Sequence, residues 1–332
     1  MNRRILILLV LVVLGGLAWW LAQNRGTTTL DRQLSDFMIP DTSRVDRIFI
    51  ADQKGGTIDL RRQANGSWSL NEVLTAKKHA VDLLLRTFLR IEVKAPVGRN
   101  AQATVLRNLA STGVQVEIYT GGNKPEKIWI VGHGSKDHLG TYMLLEKPGV
   151  GRSNTAFVMG MSAFTGILNT RFHTTLDDWR ENRVTPHDAD LSLARVRMER
   201  TGAPDRSYIL EQPRPGSYQL MDLDERPIRF DTVLVRGYLA GSNDLHFEYI
   251  ERKLSAAQRD SIFNLPPDHV LDLTWRDGGT DRIKFWYQPA SPGSGVLHDG
   301  MHMYARLQDS LLVAVQRSSF DHLLAPREYL VE

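Results

Sequence analysis

Cysteine is absent from all 332 residues, which removes disulfides, thiol nucleophiles, cysteine-linked lipid anchors and cysteine-ligated zinc together. An excess of positive charge is also missing once the charges are apportioned. Of 41 Lys and Arg residues, Arg3, Arg4 and Arg25 precede any acid, so from Gly26 onward 38 bases face 38 acids. A neutral body gives neither the basic footprint of a nucleic-acid binder nor a polybasic membrane patch. The motifs that announce a reaction are missing as well: there is no Ser-x-x-Lys, no glycine-rich loop ending in Lys-Ser/Thr and no His-Glu-x-x-His. Gly160-Met161-Ser162-Ala163-Phe164 begins like a nucleophile elbow, but Phe164 stands where the tight turn needs a second glycine. Hydrophobic residues make up 42% and charged residues 24%, so the chain is neither disordered nor multispanning.

One long apolar run is present. Ile5–Ala22 is eighteen residues without a charge, and at about 1.5 Å per residue a helix of that length spans about 27 Å, near the thickness of bilayer hydrocarbon. Arg3 and Arg4 ahead of it predict an N-terminus held in the cytoplasm and an exported remainder. Leu17-Ala18-Trp19-Trp20-Leu21-Ala22 places bulky side chains where a signal peptidase requires small ones, which favours a retained signal anchor over cleavage after Ala22.

The remaining chain reads as a duplication. Ile58-Asp59-Leu60 leading to Gly66-Ser67-Trp68-Ser69-Leu70 matches Tyr208-Ile209-Leu210 leading to Gly216-Ser217-Tyr218-Gln219-Leu220 at a displacement of 150 positions. Arg47–Ile50 pairs with Arg195–Met198, Val116–Gly122 with Leu273–Gly279, Ile128–Val131 with Ile283–Trp286, Thr141–Leu145 with Met303–Leu307, and Ser162–Phe164 with Ser318–Phe320, all in order. Each copy opens with short strands and hairpin signals. Val81, Leu84, Leu85, Phe88 and Leu89 follow at helical spacing, with Pro96 expected to end that helix. Asn100 is expected to cap the next helix and Gly113 to take a left-handed turn after it, while Ser255 and Gln258 form a capping-box pattern in the second copy. The predicted class is α+β: an N-terminal transmembrane helix followed by two tandem repeated units of antiparallel sheet plus helices. The expected boundaries are 1–25 for the cytoplasmic stub and anchor, 26–40 for a linker, 41–190 for the first repeat and 191–332 for the second.

Thr29-Leu30-Asp31, Leu34-Ser35-Asp36-Phe37, Arg47-Ile48-Phe49-Ile50-Ala51-Asp52, Ser67-Trp68-Ser69-Leu70-Asn71, Gly140-Thr141-Tyr142-Met143-Leu144-Leu145 and Asp178-Trp179-Arg180 give the chain a further signature. In these motifs it resembles the bacterial envelope family known as domain of unknown function 4340. The resemblance implies a single-span envelope protein of repeated α+β units, associated with transporter-like or gliding-type membrane systems. It implies no catalytic residues.

Two segments offer chemistry. His133 and His138, and in the second copy His298, Asp299 and His302, fall between the two later strands of their copies. Imidazoles beside a carboxylate suit zinc. Pro292, Gly293, Gly295 and Gly300 argue against the helix that would bring two histidines onto one face, and Asp299-Gly300 reads as a hairpin turn, so solvated loops are expected. Asp177-Asp178-Trp179-Arg180-Glu181 could present an indole and a guanidinium to a glycan or peptide, but at the junction of the copies it reads as a structural joint. The resulting expectation assigns no catalytic, cofactor-binding or metal-binding residues and no cofactor. It describes a non-enzymatic binding or scaffolding component of an envelope assembly, single-pass in the bacterial inner membrane with its bulk periplasmic. Its partners would be the membrane and other envelope proteins, with no nucleic acid. The alternatives are a metal-dependent hydrolase of an envelope polymer and a glycan- or peptide-binding module.

Overall fold

The computed structural model describes Leu14, Gly16 and residues 34–184, 193–242, 245–290, 292–307 and 310–331. The chain divides into two compact units, the first ending at Glu181 and the second beginning at Asn182.

In the first unit, β1 (Arg47–Ala51), β2 (Thr57–Arg62) and β3 (Trp68–Leu70) alternate buried and half-exposed residues, since one face of the sheet is packed. Ile48, Ile50, Ile58, Leu60, Trp68 and Leu70 are the buried set. After β4 (Leu74–Thr75), helix α1 (Lys78–Arg90) lays Val81, Leu84 and Phe88 on that core, while Leu89 is 40% exposed. The helix stops at Arg90, where β5 (Ile91–Pro96) begins, so Pro96 closes a strand and not the helix. Helix α2 (Arg99–Thr112) packs Val105 and Leu109 against Ile130 and Leu144 in a separate cluster. Asn100 lies inside α2, whose cap position is Gly98 and carries no side-chain bond. Gly113 is needed for space and not for a left-handed turn: its φ is −65°, and a Cβ there would sit 2.3 Å from the Leu109 carbonyl oxygen. The unit continues through β6 (Val114–Tyr119), β7 (Lys127–Gly134), β8 (Thr141–Lys147), β9 (Gly151–Arg152), β10 (Phe157–Met161) and the short α3 (Leu176–Trp179).

The second unit contains β11 (Leu193–Arg200), β12 (Tyr208–Arg214), β13 (Ser217–Met221), β14 (Pro227–Ile228), α4 (Thr232–Gly241), β15 (Tyr249–Ile250) and α5 (Ala256–Asn264). It ends with β16 (His269–Trp275), β17 (Thr280–Pro289), β18 (His298–Leu307), β19 (Leu311–Gln316) and α6 (Arg317–Phe320). Ser255 and Gln258 close a capping box on α5, and the Asp231 carboxylate caps α4.

Among the described residues the first sheet has the order β4-β3-β2-β1-β6-β7-β8-β10-β5, with β9 on β8, and the second β14-β13-β12-β11-β16-β17-β18-β19-β15. Apart from β9 the two orders are the same path. Ile50 pairs with Ile58 and Val116, as Met198 pairs with Tyr208 and Leu271. Trp68 and Tyr218 stand on β3 and β13, the same place in that path. Register also corrects two sequence matches, the first being that Val116 answers to Leu271 and not to Leu273. Trp129 lies opposite Val116, and Ile283 opposite Leu271, so the counterpart of Trp129 is Ile283 and not Lys284. A one-residue slip of that kind exchanges the two faces of a strand.

The fold class needs correction. The structure is mostly antiparallel sheet, 39% strand against 24% helix, so the expected α+β balance of sheet and helix gives way to two sheets with few helices. Among the described residues no helix is long and apolar enough to cross a membrane. The expected span Ile5–Ala22 lies outside the described residues except for Leu14 and Gly16. A transmembrane helix, a signal anchor and a single-pass inner-membrane location are therefore unsupported, and the periplasmic placement that followed from them is withdrawn with them.

Candidate functional site

The expected zinc-type segments do not assemble. His133 is on β7 and not in a loop, exposed, its ring edge-on to Tyr142 and its Nδ1 2.8 Å from the Gly134 carbonyl oxygen. His138 sits in the following turn with φ +56°. His298, Asp299 and His302 belong to β18, so Asp299-Gly300 is strand and not the expected hairpin turn. His302 places Nε2 2.9 Å from Glu248 and Nδ1 3.5 Å from Asp299, which occupies both ring nitrogens with carboxylates. Among the described residues no three His, Asp or Glu side chains are grouped to hold a metal ion.

Trp179 is 1% exposed, stacked on His173 at 5.0 Å and donating its indole N–H to the His173 carbonyl. Its own carbonyl accepts from Lys77 N–H at 2.7 Å. A side chain so enclosed offers no face to a glycan. Trp68 is buried and Tyr218 is packed on the core of its unit.

The strongest concentration of unusual chemistry lies in the second unit, at residues not singled out from sequence. Three adjacent strands each carry two apolar side chains on the inner face and then a polar one: Val196, Met198 and Arg200 on β11, Leu273, Leu271 and His269 on β16, and Ile283, Phe285 and Tyr287 on β17. Arg200 lies opposite His269, and His269 opposite Phe285, so Tyr287 stands two residues further on. Above them run α6 and the segment to Tyr329, which with the strands enclose a cleft of about 440 Å³.

Each polar group in this cleft has a distinct state. Arg200 donates to the Leu324 carbonyl at 2.5 Å. Arg317 sits 5.2 Å from the centre of the Tyr287 ring, within the range of a cation–π contact. Its Nε is buried without a hydrogen-bond partner, with Asp321 3.6 Å away. His269 is 4% exposed. Its Nε2 is 3.2 Å from the Tyr287 hydroxyl, and its Nδ1 has no partner. Burial first, then the nearby Arg200 guanidinium, push His269 down to about 4; Asp268 opposes them, and Arg317 adds a smaller push downward. His269 is thus neutral at neutral pH. Burial also lowers His322, which lines the same cleft.

A larger cleft of about 580 Å³ lies in the same unit; there His246 bonds to Asn182 and Glu248 to His302, while His322, which lines both clefts, keeps Nε2 without a hydrogen-bond partner. At the register of the cationic cleft, the first sheet holds Asp52, Val114 and His133. Asp52 there is taken up by Thr174 and by the backbone of its own turn. Among the described residues the cationic arrangement belongs to the second unit.

The missed signal was a phase relation. Arg200 and His269 occur in step with the apolar alternation of their strands, where a solvent-facing residue would be out of step. No family model, curated protein or solved structure matches this chain, so the likeness to the envelope family rests on the quoted motifs.

Proposed function

We propose that the chain is a non-enzymatic binding or scaffolding protein whose second unit holds a ligand or a partner's side chain in the Arg200–His269–Arg317 cleft. The observation that carries this reading is the chemistry of the lining. Two guanidiniums, two imidazoles and two phenols line it, with no serine or threonine among the lining residues and no carboxylate hydrogen-bonded to His269 to orient it as a base. A hydroxyl nucleophile paired with an oriented base is one common catalytic arrangement, and these residues do not form it. Charge, enclosure and unpartnered nitrogen atoms suit retention of a ligand instead.

The test is recovery. A thermal-shift survey of anionic, neutral and cationic small molecules with the full chain identifies stabilising compounds, and each is re-isolated after prolonged incubation. The expected result is stabilisation with the compound chemically unchanged. Turnover of a compound that Arg317→Gln no longer recognises would make the protein an enzyme and overturn this reading.

A further inference from the structure

We propose that the cleft between β11, β16, β17 and α6 is an oxyanion site, taking a phosphate or carboxylate group between Arg200 and Arg317 with the His269 ring beneath it. The inference rests on the binding reading above and names its ligand class. Three observations converge. The lining carries two guanidiniums against one carboxylate, Asp321, which is itself half-exposed and 3.6 Å from Arg317. Arg317 keeps a buried Nε without a hydrogen-bond partner. His269, 4% exposed, keeps Nδ1 without one.

A buried polar nitrogen without a partner costs about 1–3 kcal/mol, and these two, closed off from solvent on residues that line one cleft, are satisfied when a group enters and the side chains turn toward it. An oxyanion has acceptor oxygens for both. With the tautomer in which Nε2 accepts from the Tyr287 hydroxyl, Nδ1 carries the proton and donates, as does Nε of Arg317. Charge-assisted bonds of this kind are about twice as strong as neutral ones, and the planar guanidinium matches carboxylate and phosphate oxygens. A cation would meet two guanidiniums, and an uncharged sugar would leave their charge unanswered.

The experiment is calorimetric titration of the full chain with inorganic phosphate, with succinate and with glucose. Phosphate or succinate is expected to bind saturably at one site, and which binds more tightly distinguishes the two oxyanion sources. Arg200→Gln and Arg317→Gln should each weaken binding by roughly tenfold or more, while Arg226→Gln, outside the cleft, should leave it unchanged. Asp321→Asn should strengthen binding several-fold, an effect of opposite sign that misfolding would not produce. Absence of saturable binding by both anions, or binding indifferent to the Arg317 and Asp321 changes, overturns the oxyanion assignment. If glucose alone binds, and Arg317→Gln abolishes it, the assignment fails while the binding reading stands.

Discussion

At the scale of single residues, His269 ties the stability of the second unit to pH. In the folded chain it titrates at about 4 because of burial and two neighbouring guanidiniums, whereas an unfolded histidine titrates near 6.5. Between those values the unfolded chain binds more protons, so stability falls as pH drops from about 6.5 toward 4 and is lost in full below the folded value. The difference amounts to about 3 kcal/mol. The groups that set it, besides burial, are Arg200 on β11, Asp268 next to His269 in the chain, and Arg317 on α6; Tyr287, Asp321, His322 and Tyr329 also line the cleft. Urea unfolding at pH 7 and at pH 4.5 should show a smaller loss in His269→Gln than in the parent; equal losses would refute the assignment. Trp179 belongs to the same scale. Its burial and its bond to the His173 carbonyl predict that Trp179→Ala destabilises the first unit by about 3–5 kcal/mol, to be read from denaturant midpoints.

At the scale of elements, much of what formed was written in local patterns. The alternation of Ile48 and Ile50 against half-exposed neighbours, and the Ser255–Gln258 pair, each correspond to the element found. Termini were less legible because they depend on what lies alongside. Pro96 closes β5 since β5 pairs with β10, a partner 60 residues away. Gly113 is required both by the Leu109 carbonyl and by the approach of Ile130 to the end of α2, and the second of these no local rule reveals. The histidines of β7 and β18 read as loop residues because glycines surround them, yet pairing with neighbouring strands kept both extended. Gly113→Ala should therefore destabilise by about 1–3 kcal/mol through overpacking, against a gain if a helix-favouring residue were simply welcome there. Thermal or chemical denaturation decides the sign.

At the scale of the molecule, two sheets follow one strand order apart from β9, and among the described residues the cationic cleft lies on the second. A shared path with different residues at one register is the pattern expected when a scaffold is fixed by its apolar positions and a site is free to vary at the ends of its strands. The apolar cores of the units are separate clusters, one from Phe37 to Trp179 and another from Leu193 to Leu330. Phe285→Ala should accordingly speed hydrogen exchange in β16 to β19 and leave β6 to β8 as they were; matched acceleration in both sheets would show that the cores are coupled.

The oxyanion proposed for the second unit's cleft lies beside a neutral, buried His269. Nitrogen-detected NMR of the imidazole rings in the full chain tests it most directly, by titrating His269 without and with saturating phosphate. The account predicts a value of about 4 in the absence of phosphate and an upward shift in its presence, since a nearby negative charge favours the imidazolium. A His269 that titrates near 6.5 when free, or at the same pH with phosphate as without, would contradict it.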